Sequence, residues 1–189
     1  MVISKKNKKQ EIIAAAAGLF KEKGYPASSI RDLAVKVGLE PSSIYSHIQS
    51  KEELLITICE ECAVKFLDGI RQIAESEHSP KKKIKMILRQ HLDIAYNDPT
   101  AIAVFSDEWK HLPEHARISF LQSRKEYAAI FKSVLREGRK KGLFDFRDED
   151  ITYNNIINMI RWTYFTTDRL DAEDVYESLS EFILKGLKS

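Results

Sequence analysis

A chain of 189 residues, 43% hydrophobic and 31% charged, has the composition of a soluble globular protein with room for one large domain or two small ones. Seven glycines and five prolines are too few for a turn-rich all-β architecture, and two cysteines exclude a disulfide framework. The net charge of +2 is unevenly spread: residues 1–51 hold nine Lys or Arg against four acids, which is +5, so the remainder nets −3 and a polyanion partner is directed to the N-terminal end.

Residues 1–6 read as a basic arm. Ile12, Ile13, Ala16, Leu19 and Phe20 recur at helical spacing and predict a helix over about 7–23, stopped by a left-handed Gly24 and kept from continuing by Pro26. The run Ile12–Phe20 behind Lys5–Lys9 superficially resembles a secretion signal. Glu11 interrupts its flank, however, and Lys21, Glu22 and Lys23 stand where a small-residue cleavage site belongs. It is also far short of the roughly 20 residues that span a bilayer. We read it as a buried helix face in a cytoplasmic protein with no membrane partner.

A second helix starts at Ser28 or Ser29, where Ser29 and Asp32 have capping-box spacing, and buries Ile30, Leu33, Ala34 and Val37 before turning at Gly38. The third, about 41–48, admits Pro41 in its first turn and points Ile44 and Ile48 inward. Ser42, Ser43, Tyr45, Ser46 and His47 are left on its other faces. Ser50 to Glu53 opens a long fourth helix to about Ala74. A fifth follows Ser79-Pro80 over about 81–96 and carries Ile84, Ile87, Leu88, His91, Leu92 and Ala95. A sixth runs from Asp98-Pro99 to about His111, and a seventh from Pro113-Glu114 to about Lys141, closed by Gly142. Leu143–Phe146 is an apolar loop that has to be tucked in. Asp148 caps an eighth helix over about 149–167, and Asp171 with Asp174 caps a ninth over about 172–187. No segment alternates with period two. The expected fold class is therefore all-α, about nine helices, beginning with a three-helix helix-turn-helix domain at 1–51.

A short third helix that shows serines, a tyrosine and a histidine is suited to touch double-stranded DNA. Small side chains such as Ser42, Ser43 and Ser46 let a helix enter a major groove and reach base edges. Tyr45 and His47 can donate to the flanking backbone, Ser29 sits at a helix N-terminus where a phosphate can dock, and Lys51 offers a point charge on the far side. The candidate DNA-binding residues are Ser29, Pro41, Ser42, Ser43, Tyr45, Ser46, His47 and Lys51, with the N-terminal lysines as further candidates.

The series Ser29-Ile30-Arg31-Asp32-Leu33-Ala34, Gly38, Ser43-Ile44-Tyr45 and Ser50-Lys51-Glu52-Glu53-Leu54-Leu55, preceded by Ala16–Tyr25, resembles the helix-turn-helix of the TetR/AcrR family of bacterial repressors. In that family a tyrosine stands where this chain has His47. The resemblance implies that 52–189 is an all-helical ligand-binding and dimerisation domain, with a homodimer formed through the last two helices (about 149–167 and 172–187). Two apolar stripes suit that role: Ile156, Ile157, Ile160 and Tyr164, and Val175, Leu179, Phe182 and Ile183.

The body from Phe105 to Phe165 concentrates large aromatic residues with interleaved arginines, which suits an amphipathic anionic ligand. Phe105–Trp109, Arg124–Tyr127, Gly142–Phe144 and Arg161–Tyr164 resemble the subgroup of the family that answers to acyl-CoA thioesters. The candidate effector residues are Phe105, Trp109, Arg124, Tyr127, Phe131, Arg161 and Trp162. The implied function is that of a ligand-responsive regulator, a repressor released from a near-palindromic operator by a small effector such as an acyl-CoA.

Other signals are weaker. Cys59 and Cys62 lie at i and i+3, where two small buried groups explain them without metal. Glu75-x-x-His78 and Glu108-x-x-His111 raise a di-iron helical-bundle enzyme as an alternative, but both precede a proline at a helix end. A helical protein-interaction adaptor would explain the bundle and not the basic head. No catalytic residues, cofactor or metal ligands are expected.

Overall fold

The structure, a computed structural model, describes residues 5–188, with side chains from Lys8 onward. Most of the predicted basic arm lies outside these limits; the backbone of Lys5 and Lys6 is already helical. Regular structure among the described residues is helical throughout: α1 (Lys5–Lys23), α2 (Ile30–Val37), α3 (Pro41–Ile44), α4 (Lys51–Glu75), α5 (Pro80–Asn97), α6 (Pro99–Asp107), α7 (Glu114–Lys140), α8 (Glu149–Trp162) and α9 (Ala172–Gly186). Single 3-10 turns lie at Trp109–His111 and Thr163–Phe165. The expected all-α class and helix order hold. Gly24, Gly38 and Gly142 adopt φ of 78°, 66° and 66°, as three left-handed helix stops require.

Three helices are shorter than the sequence suggests, each for a local reason. α3 stops at Ile44 instead of Ile48, because the Ser46 hydroxyl donates to the Ser43 carbonyl at 2.7 Å and the amides of Ser46 and His47 turn to i−3 carbonyls. α6 stops at Asp107 instead of His111, since Leu112 precedes Pro113 and is held extended at φ −60°, ψ 141°. α8 stops at Trp162 instead of Thr167, where buried Thr163 and Thr166 donate to the carbonyls of Ile160 and Thr163.

The chain packs as two units. One comprises the residues up to Cys62 with Thr100–Phe120; the other comprises Ala63–Pro99 and the residues from Leu121 on. Helices α4 and α7 therefore begin in the first unit and end in the second. The first unit is built on Ile12, Ala16, Phe20, Leu33, Ile44 and Leu55, all buried, so the run Ile12–Phe20 is the inner face of α1 as expected. The second is built on Ile70, Ile87, Leu88, Phe131, Leu135 and Ile160. The loop after α7 is tucked in as predicted: Phe144 is buried against Gly138, where an added Cβ would meet the ring at 1.9 Å. No helix among the described residues is long and apolar enough to cross a membrane.

Candidate nucleic-acid interface and effector residues

Ser29 is extended (φ −128°, ψ 159°) and its hydroxyl accepts from the Asp32 amide, while Asp32 reaches back to the Ser29 amide at 3.0 Å, so the predicted capping box forms. Lys23 pairs with the same carboxylate at 2.8 Å. That cation, followed by the Ser29 hydroxyl, pulls the Asp32 carboxyl down to about 2. At the other end of α2, Gly38 and Leu39 donate to Val35 and Ala34, closing a tight turn into α3. Pro41 takes the first position of α3, where no backbone donor is needed.

The second short helix turns its polar side chains outward. Ile44 and Ile48 are buried, while Ser42 in α3 and Tyr45 and Ser46 in the turn that follows it are exposed. Tyr45 is 56% exposed. Pro41, Ser43 and His47 are half-buried at the flanks, and Ser29 is exposed at the start of α2.

Lys51 is placed differently from the rest. Its ammonium donates to the carbonyls of Tyr25 (2.8 Å) and Ser28 (2.7 Å) and lies 4.3 Å from the centroid of the Tyr25 ring. The first residue of α4 thus ties down the α1–α2 corner. Tyr25 is held from the other side too. Its amide donates to Glu108 at 3.2 Å and its ring stacks on His111, so the α6–α7 corner grips the same loop.

Sequence pattern alone assigned no role to Arg31. Lys8, Lys9, Lys23 and Lys36 are each paired with a carboxylate, and Lys51 is held by carbonyls. Among the described side chains up to Lys51, Lys21 and Arg31 have no such partner, and Arg31 is exposed in the first turn of α2. A cation there opposes the helix macrodipole and has no local structural reason. That mismatch was visible in the sequence.

The seven candidate effector residues do not form one group. Phe105 and Trp109 lie in the first unit, both packed on Phe120 at ring distances of 5.3 and 5.5 Å. Tyr127 and Phe131 lie in the second, with Arg124 and Arg161 nearby. Burial and then the Arg161 charge push the Arg124 guanidinium below its usual range. Trp162 is apart, 55% exposed on an open groove of about 700 Å³ between α8 and α9, which Met159, Leu179 and the 65% exposed Phe182 also line. Ile156, Ile160, Tyr164, Val175 and Ile183, five members of the two stripes, are buried within the single chain.

At the heart of the second unit is a residue that helical spacing placed on an apolar face without a role. His91 is buried, with Nε2 2.6 Å from the Tyr127 hydroxyl and Nδ1 bonded to that of Tyr164. Phe66 of α4 packs on the imidazole at 4.6 Å. Burial holds the ring uncharged, pushing its pKa down to about 3.

The two Glu-x-x-His pairs stay local. Glu75 ends α4 with His78 beyond it, and Glu108 faces His111 at 3.6 Å. Among the described residues no three His, Cys, Asp or Glu gather in a metal-binding arrangement. Cys59 and Cys62 are buried thiols, and burial pushes that of Cys59 up to about 12.

The sequence family described as bacterial regulatory proteins, tetR family, matches residues 12–58, and that described as tetracyclin repressor-like, C-terminal domain, matches 77–187. The HTH-type transcriptional repressor KstR2 of Mycolicibacterium smegmatis is 27% identical over 191 residues, covering 96% of this chain and 91% of its own. The fatty acid metabolism regulator protein of Bacillus subtilis is 25% identical over 188 residues, covering 97% of each chain. Among solved structures, the TetR family transcriptional regulator PfmR from Thermus thermophilus superposes with a TM-score of 0.84 at 27% identity, covering 94% of this chain and 99% of that one.

Proposed function

The chain belongs to the TetR family of bacterial regulatory proteins, and from that premise we propose a repressor that leaves a near-palindromic operator when an acyl-CoA occupies its C-terminal part. As a member of the family it is a ligand-responsive, DNA-binding transcriptional regulator and not an enzyme. An operator partner puts its work in the cytoplasm.

The observation that carries the reading is the exposed polar surface of α3 and of the turn that follows it. Tyr45, Ser42 and Ser46 fill no core, and their exposure supports contact with a major groove. Pro41, Ser43 and His47 flank that face and suit the adjoining backbone. Ser29 and Arg31 suit a phosphate at the start of α2, where the cap uses the amides of Asp32 and Leu33 and leaves those of Ile30 and Arg31 to an anion. We assign Lys51 to holding the motif together.

The functional boundary is set near Lys51: residues 1–51 read DNA and 52–189 bind the effector and a second copy. The exposed Trp162 and Phe182, with the half-buried Leu179 between them on the same groove, support a dimer through α8 and α9, with Trp162 moved from the effector to that face. A two-fold pair would set its α3 copies one DNA turn apart, about 34–36 Å. The arginines Arg124 and Arg161 beside a buried aromatic cluster support an anionic, partly apolar effector, and a relative named for fatty acid metabolism supports the acyl class.

The effector acts by differential affinity for two arrangements. Phe66, packed on His91, belongs to the same helix that begins with Lys51, so a ligand at the His91 cluster bears on the helix that holds the α1–α2 corner. The test is operator affinity with and without hexadecanoyl-CoA. A fall of roughly 5–150-fold is expected, and unchanged affinity at saturation retires the ligand part.

A further inference from the structure

Tyr164, His91 and Tyr127 form a buried chain of three polar groups joined by two hydrogen bonds. An uncharged imidazole has one N–H and one acceptor nitrogen, and each phenol has one O–H. Three protons therefore serve two bonds. When Tyr164 donates to Nδ1, the imidazole donates from Nε2 to the Tyr127 oxygen, and the Tyr127 proton is turned away from the ring. The Tyr127 ring is buried, with Phe66 edge-on to it at 6.3 Å and Phe131 tilted against it at 6.4 Å, and Tyr153 is near enough to act on its phenol. The half-buried Arg124 and Arg161 lie beside the cluster, Arg124 close enough to act on Tyr153 and Tyr164.

We propose that Tyr127, held by His91, donates a hydrogen bond to a carbonyl oxygen of the effector, so that the site selects esters, thioesters or ketones on apolar chains against the matching ethers, thioethers or alkanes. The inference rests on the reading that the C-terminal part holds the effector. A neutral donor in an apolar setting fits a neutral acceptor. A carboxylate would call on Arg124 or Arg161 beside the cluster, since burial leaves His91 uncharged. The imidazole fixes the ring of Tyr127, and its tautomer decides which phenol offers the proton.

Three matched pairs of probes test this: S-hexadecanoyl-CoA and S-hexadecyl-CoA, methyl hexadecanoate and methyl hexadecyl ether, and 2-heptadecanone and heptadecane. In any pair that binds, the carbonyl member is expected to bind roughly tenfold more tightly, the scale of one hydrogen bond. Tyr127→Phe is expected to abolish that ratio by weakening the carbonyl member alone. Equal binding of the CoA pair overturns the donor and leaves the acyl-CoA reading standing. A ratio seen with the ester or ketone pair and no CoA binding supports the donor and overturns acyl-CoA. No binding by any probe overturns both, and a ratio that survives Tyr127→Phe removes Tyr127. Should that variant not fold, judged by helical circular dichroism, the nitrogen-15 spectrum of His91 in the unaltered protein decides. With a carbonyl probe bound, the Nε2–H tautomer is expected, and an Nδ1–H tautomer in the bound state overturns the proposal.

Discussion

Lys51 donates to the Tyr25 carbonyl at 2.8 Å while its ammonium sits 4.3 Å from the centroid of the same residue's ring. A cation that satisfies two carbonyls and an aromatic face across 26 residues of chain is part of the fold of the head. Lys51→Met keeps most of the aliphatic stem and removes the charge. It is expected to lower the unfolding free energy by about 2 kcal/mol, the scale of a charged hydrogen bond, and to leave the salt dependence of operator binding unchanged. Urea unfolding and a salt titration read the two effects. A shallower salt slope at unchanged stability would return Lys51 to the DNA backbone.

Arg31 is expected to behave in the opposite way. It is exposed and unpaired, so Arg31→Ala leaves stability within about 0.5 kcal/mol of the parent. Operator affinity should fall, and the salt slope should drop by about one contact. The same loss on every sequence marks a phosphate contact, whereas a loss confined to one base position marks readout.

Phe182 is 65% exposed on α9 beside Trp162 and Leu179. Phe182→Asp places a charge in the proposed dimer face without touching the single-chain core. The variant is expected to sediment as a monomer and to lose operator affinity with its second α3. A variant that stays dimeric would place the interface elsewhere.

The pH dependence of stability carries the mark of His91. Its folded pKa of about 3 lies below the unfolded value of 6.5, so the unfolded chain binds the extra proton between those limits. This stabilisation is complete above pH 6.5 and is lost as pH falls toward 3, at up to about 1.4 kcal/mol per pH unit. His91→Gln does not titrate and should show a flatter slope in that window. Equal slopes would mean that His91 is not buried uncharged.

Much of this was legible because it is local. Gly24, Gly38 and Gly142 announce their left-handed stops, Ser29 and Asp32 their cap, and the spacing of Ile12 to Phe20 its buried face. What escaped depends on side chains overriding the backbone or on distant partners. The hydroxyls of Ser46, Thr163 and Thr166 end α3 and α8 early, although helical periodicity continues through them. His91 reads as one more residue of an inner face because Tyr127 and Tyr164 are 36 and 73 residues away. Lys51 reads as a free charge for the same reason. The exposed surface of α3 and the turn after it was legible, since a segment with inward Ile44 and Ile48 has little else to do with Tyr45.

Selection of bound duplexes from a random DNA pool, run in parallel with the parent protein and Tyr45→Ala, tests the central claim most directly. The parent is expected to enrich a near-palindrome whose half-sites are about one helical turn apart. Tyr45→Ala is expected to keep its fold and lose that enrichment. Enrichment of no sequence by the parent, or the same palindrome from both proteins, would contradict an operator read through α3.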